Sequence, residues 1–119
     1  LKNGKEWLVH EVSIVQKALE IALEQAQGAT KIHALKLRVG ELSGVVPEAL
    51  EFAFEVVVQG TIASEARLEI DRIPVVCHCS TCNLDFQPAN LFYECPQCHQ
   101  ISIDIVCGRE LEIASLEVS

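Results

Sequence analysis

The sequence predicts an α+β fold: a small antiparallel sheet with two helices, carrying an inserted four-cysteine zinc-ribbon module. Three observations predict it. Two stretches carry apolar residues at helical spacing, three alternate as half-buried strands do, and all six cysteines fall between Cys77 and Cys107.

Taking the elements in order, residues 11–27 place Val12, Val15, Leu19, Ala22 and Ala26 on one stripe, widened by Ile14, Ala18 and Ile21. That is the pattern of an amphipathic helix, and Gly28 is placed to cap its C-terminus. Ile32–Leu42 then alternates Leu35, Leu37 and Val39 against Lys36 and Arg38, as a half-buried strand does. Gly40, Ser43, Gly44 and Pro47 mark a loop, and Pro47 suits the first turn of a second helix that buries Leu50, Ala53, Phe54 and Val57. Gly60 ends it. A second strand follows over Ala66–Ile73, closed by Pro74. Within the cysteine-rich segment Ile101–Val106 reads as an apolar strand, and Glu110–Val118 as a final one. In that last strand the apolar phase slips between Ile113 and Leu116, which predicts a bulge or bend. If it returns to the first sheet, the cysteine module is an insertion and not a tail.

Length and charge exclude several functions. A chain of 119 residues supports one modest core with a small satellite. A net charge of −8 offers no basic footprint for nucleic acid or anionic lipid. No apolar run approaches the roughly 18 to 20 residues that span a bilayer, and the N-terminus has no signal-peptide pattern, so the cytoplasm is the expected location. Because the sequence contains no Met, residues 1–9 are set apart as an N-terminal extension of uncertain origin.

Cys79-x2-Cys82 and Cys95-x2-Cys98 are separated by twelve residues, close to the spacing of two zinc knuckles. Four thiolates close a tetrahedral shell and leave no position for water, so such a site holds structure and does not catalyse. Iron in a rubredoxin-like site uses similar pairs, and a disulfide framework is the reading for a secreted chain; without a leader, zinc is preferred. Cys77 and Cys107 read as small core residues, and His78 and His99 as solvated side chains beside the ligands.

Catalytic signatures fail one at a time. His10-Glu11 opens a zincin-like pattern, but Ile14 stands where the second histidine belongs. A zinc deaminase needs His-x-Glu and a proline before its cysteine pair, whereas Pro96 lies inside one. No nucleophile elbow or phosphate loop is present, so the chain is expected not to be an enzyme. His10-Glu11 remains: imidazole, backbone nitrogen and carboxylate suit Ni²⁺ or Cu²⁺, although Glu near a helix N-terminus is also explained by the helix dipole.

His10-Glu11-Val12-Ser13-Ile14 before a helix, Val39-Gly40-Glu41-Leu42-Ser43-Gly44, Gly60-Thr61 and the Cys79 to His99 knuckles occur in this order. Together they resemble the hydrogenase maturation nickel metallochaperone family (HypA/HybF) over about residues 9–118. The resemblance implies a nickel domain of two helices on a three-stranded antiparallel sheet, residues 10–74 completed by 109–119, with a zinc domain at 75–108. It implies that His10 and Glu11 bind Ni²⁺ through imidazole and backbone nitrogens, and that Cys79, Cys82, Cys95 and Cys98 hold structural Zn²⁺. The implied function is to receive nickel with a maturation GTPase and deliver it to the [NiFe]-hydrogenase large subunit precursor; some members also serve urease maturation proteins. The competing reading is a zinc-ribbon protein–protein interaction module without nickel delivery. The chain departs from the family in having Val9 and a preceding extension where family members begin Met-His-Glu, so a free amine beside His10 is absent. Where some members place an Asp before the second helix, this chain has Val46, with Glu48 the nearest carboxylate; Glu41 and His33 are further candidates.

Overall fold

The computed structural model describes residues 4–90 and 92–119, with side chains described from His10 onward and Leu91 left out. The elements run α1 (Gly4–Gln25), β1 (Ile32–Gly40), a 3-10 turn (Glu41–Ser43), α2 (Pro47–Val57), β2 (Arg67–Ile73), β3 (Val76–Cys79), β4 (Leu84–Phe86), β5 (Ile105–Cys107) and β6 (Leu111–Val118).

Helix α1 begins earlier than the apolar pattern implies. His10 and Glu11 lie inside it, not ahead of it. Its buried stripe is Glu11, Val15, Ala18, Leu19, Ala22 and Ala26, a three-and-four spacing that faces one side of a helix. Glu11 occupies the place in the stripe assigned to Val12, which is only half-buried, and Ile21 is exposed. The stripe packs on α2, which buries Leu50, Ala53 and Phe54; Val58, one residue past the helix, is buried in place of Val57.

The first sheet has the order β2-β1-β6. β1 and β6 are antiparallel, since Lys31 and Ser119 exchange backbone hydrogen bonds of 3.3 and 3.0 Å. Nine residues along β1, the Gly40 N–H bonds the carbonyl of Glu110, nine residues back from Ser119. No residue is left over across the pair, so the phase change in β6 is a bend without a net register shift. It is matched in β1, where Ile32 and Ala34 are buried on one phase and Leu35, Leu37 and Val39 on the other.

The antiparallel expectation does not extend to β2, which starts beside the start of β1. The Ile32 N–H bonds the Ile62 carbonyl and Lys31 pairs with Glu65. Helix α2 accounts for this, because a helix between neighbouring strands returns the chain to the starting end and makes the strands parallel. The sheet is three-stranded, as expected, and mixed.

A second sheet, ordered β4-β3-β5, forms the cysteine-bearing part. β3 and β4 make a hairpin pairing Cys77 with Phe86 and Cys79 with Leu84, and β3 pairs β5 with a bulge between Val76 and Cys77. The expected strand Ile101–Val106 is cut to Ile105–Cys107; Ile101 bridges to Glu94 instead and Ile103 is exposed. The segment before β5 is used to close a knuckle, which breaks the strand. By contacts the chain forms two compact units, one of the chain to Arg38 with Val45–Asp71 and Glu112–Ser119, the other of Val39–Gly44 with Arg72–Leu111.

Within the second unit the backbones meet closely. The Leu42 N–H donates to Gly108 O and the Gly40 N–H to Glu110 O, both at 2.7 Å. A Cβ on Gly40 would stand 2.1 Å from the Gly108 oxygen.

Candidate metal centres

The four paired cysteines converge. The Sγ atoms of Cys79, Cys82, Cys95 and Cys98 all lie within 4.8 Å of one another, the only such metal-ligand cluster among the described residues. Cys79 and Cys98 are 3.6 Å apart at sulfur, and Cys95 and Cys82 4.0 Å. Thiolates about 2.3 Å from Zn²⁺ at tetrahedral corners stand about 3.8 Å from one another, so the cage fits the ion.

Each pair sits in a hairpin that forces the convergence. The first knuckle is the β3–β4 turn; the second is closed by the Glu94–Ile101 bridge and the Cys95 N–H to Gln100 O bond of 2.9 Å. In both, the residue after the second cysteine turns left-handed, Asn83 at φ 50 and His99 at φ 64. Asn tolerates that region better than most residues. The turn also aims backbone N–H groups at sulfur: the Cys98 N–H, helped by that of Gln97, draws the Cys95 pKa down to about 7. Burial, reinforced by the other three thiols, pushes Cys82 up to about 12. The Cys95 thiolate is thus favoured by the protein alone, and a bound Zn²⁺ would supply the charge that ionises Cys82.

Cys77 stays outside the cage. It is fully buried on the Cys79 side of β3, and burial, with the Asp104 carboxylate second, raises its pKa. Cys107 is half-buried with its thiol 3.6 Å from the Pro74 carbonyl, less interior than expected. His78 and His99 are bound to carboxylates, Asp85 at 2.7 Å and Glu94 at 3.0 Å, through Nδ1.

The His10-Glu11 pair is built differently. The His10 side chain is 52% exposed and that of Glu11 is fully buried, with His10 Nδ1 3.5 Å from Glu11 Oε1. The other oxygen, Oε2, accepts the Val46 N–H at 3.0 Å. Oε1 has no hydrogen-bond partner and is the only buried side-chain polar atom so left among the described residues. Of the further candidates, Glu41 is exposed in the 3-10 turn, Glu48 is exposed in the first turn of α2, and the His33 ring contacts Ser119 Oγ at 2.8 Å. The burial of Glu11 is the feature the sequence reading missed; its position four residues before Val15 and seven before Ala18 was the available signal.

Residues 9–118 match a family model described as hydrogenase/urease nickel incorporation, metallochaperone, hypA. The chain belongs to the HypA family. A "Hydrogenase maturation factor HypA" of Picosynechococcus sp. is 51% identical over 112 residues, covering 92% of this chain and 99% of that protein. One from Geobacter sulfurreducens is 46% identical over 110 residues, with the same coverage of each. The solution structure of the Ni metallochaperone HypA from Helicobacter pylori superposes with a TM-score of 0.63 at 29% identity, covering 91% of this chain and 96% of that one. The family match begins at Val9, so residues 1–8 lie outside it. Both the His10-Glu11 pair and the four-cysteine cluster lie within the matched residues.

Proposed function

We propose that this nickel metallochaperone of hydrogenase maturation takes its cargo at the His10-Glu11 pair, while zinc held by Cys79, Cys82, Cys95 and Cys98 keeps the second unit folded. The observation that carries the reading is the buried, unpaired Oε1 of Glu11 3.5 Å from the exposed His10 ring. A buried carboxylate oxygen without a partner is costly and asks for a cation or a donor. The imidazole beside it is reachable from solvent. A four-thiolate cage is closed and slow to give up its ion; a half-exposed histidine supports uptake and release.

Residues of α1 ahead of His10 bear on the ligand set. Inside an α-helix each N–H bonds the carbonyl four residues back, and His10 and Glu11 fall within Gly4–Gln25. Their backbone nitrogens are helix donors, so in this fold nickel uses side-chain atoms first. The partners we assign are the maturation GTPase that supplies nickel and the large-subunit precursor of a [NiFe]-hydrogenase that receives it, with urease maturation proteins as a further client. The chain performs no catalysis of its own and works in the cytoplasm, where thiols stay reduced and available to zinc.

The test is calorimetric titration of the zinc-loaded protein with Ni²⁺. His10→Ala should abolish the stoichiometric site and leave zinc content and helicity unchanged; undiminished binding by His10→Ala would refute the assignment.

A further inference from the structure

Helix α2 buries Leu50, Ala53 and Phe54 on its inner side, yet its outer side is not the polar surface that an amphipathic helix shows to water. Phe52 and Val56, one turn apart, are 55% and 59% exposed. Half-buried Ala49, three residues before Phe52, continues their row along the helix. Beside it runs a second row at the same spacing, Glu48, Glu51 and Glu55, all exposed. The helix has no cation, and among the described residues none of the three carboxylates is in an ion pair. Glu48 stands in the first turn, where the helix dipole favours negative charge. Glu55 stands in the last turn, where the dipole opposes it, and four residues from Glu51, where like charges repel. Within the chain, both rows are therefore unfavourable: one leaves large apolar side chains in water, and the other gathers uncompensated charge.

We infer that the outer face of α2 docks a basic amphipathic helix of another protein, with Phe52 and Val56 as apolar anchors and Glu51 and Glu55 pairing its Lys or Arg side chains. Exposed apolar side chains rimmed by charge mark interaction surfaces, and anchors four residues apart are how helices are read by their partners. An apolar row lying parallel to an acidic row is complemented by a helix that carries an apolar row parallel to a basic one. Charge selects this occupant over the alternatives. A second copy of the chain would bring the same carboxylate row and a net charge of −8 to the contact, and an anionic bilayer would be repelled in the same way. The inference goes beyond the nickel reading and holds wherever nickel binds.

The test titrates the ¹⁵N-labelled, zinc-loaded full chain with a synthetic Leu/Lys amphipathic helix, and with a Leu/Glu peptide of the same pattern. Amide shifts on adding the Leu/Lys peptide should cluster on residues 48–59, and the Leu/Glu peptide should bind at least about tenfold more weakly. Phe52→Ser with Val56→Ser should weaken the Leu/Lys peptide by about tenfold or more, at unchanged zinc content. Glu51→Lys with Glu55→Lys should reverse the preference between the two peptides. Because it relieves repulsion, that pair should also leave the urea midpoint no lower than wild type. Shifts centred on another element, equal affinity for the two peptides, or full affinity in the Phe52 and Val56 variant overturns the inference. So does a fall in the urea midpoint of the Glu51 and Glu55 variant, which would show that the carboxylates serve the fold. Dimerisation of the free chain that the Phe52 and Val56 variant abolishes gives the face to a second copy and overturns it as well.

Discussion

Replacing Gly40 by Ala should destabilise the protein in spite of an ordinary backbone. Gly40 has φ −73° and ψ 148°, which any residue adopts. On conformational grounds Gly→Ala would then stabilise by about 0.4–1 kcal/mol through the unfolded chain. The contacts reverse the sign. The new methyl would lie 2.1 Å from the Gly108 oxygen, 2.3 Å from its carbonyl carbon and 2.7 Å from the Arg109 nitrogen, all backbone atoms with no side chain to swing away. Relief requires β1 to part from the Gly108–Glu110 segment, which lengthens two backbone hydrogen bonds of 2.7 Å. Two such bonds are worth about 2 kcal/mol together, and forcing a methyl into a filled space adds about 1–3 kcal/mol. Less the conformational gain, the expected loss is about 2–4 kcal/mol by urea unfolding of zinc-loaded protein, with faster hydrogen exchange at the Gly40 and Leu42 amides. Gly44→Ala is the control. Gly44 has φ 78° but open space around it, so it should lose only about 1–2 kcal/mol. The reasoning fails if Gly40→Ala is no less stable than Gly44→Ala.

Stripping zinc with a chelator should melt the second unit while the helices persist, because its buried core is Val75, Phe86 and three cysteines, two of them ligands; far-UV dichroism should keep its helical signal while Phe86 and Cys77 amides lose exchange protection. Cys79→Ser should abolish stoichiometric zinc by metal analysis, whereas Cys77→Ser, outside the cage, should keep one zinc per chain. Leu50→Ala, at a fully buried position of α2, should lose about 2–5 kcal/mol in urea, with zinc stoichiometry unaltered. A chain trimmed to begin Met-His10-Glu11 removes the helix ahead of the pair and frees the first amides, so its Ni²⁺ affinity by calorimetry should exceed that of the chain as it stands.

Much of this architecture is legible in the sequence because its signals are local. The zinc cage follows from spacing: two short hairpins must each converge a pair of sulfurs, and twelve residues suffice to fold one onto the other. Helix and strand identities follow from apolar periods, which is why α2 and β1 lie where expected. What escaped depends on chain returning from elsewhere. The direction of β2 is set by α2 as a crossover, not by any residue in Arg67–Ile73. Ile101 and Ile103 alternate as a strand does, yet knuckle closure claims the first and leaves the second exposed. His10-Glu11 is visible as a pair, but the acceptance of the Val46 N–H by Glu11 joins residues 35 apart and has no local trace. Residues 1–3, part of the expected extension, lie outside the described residues.

The membership of Val39–Gly44 in the cysteine-bearing unit has a practical corollary for anyone who would transplant that unit. Excised as a continuous peptide beginning after β2, it would leave behind the strand end and turn whose N–H groups bond the Gly108 and Glu110 carbonyls. Those carbonyls would then be answered only by water. A chimera exchanging cysteine modules between relatives should therefore carry two pieces of sequence, one of them six residues long and lying more than thirty residues upstream of the first cysteine.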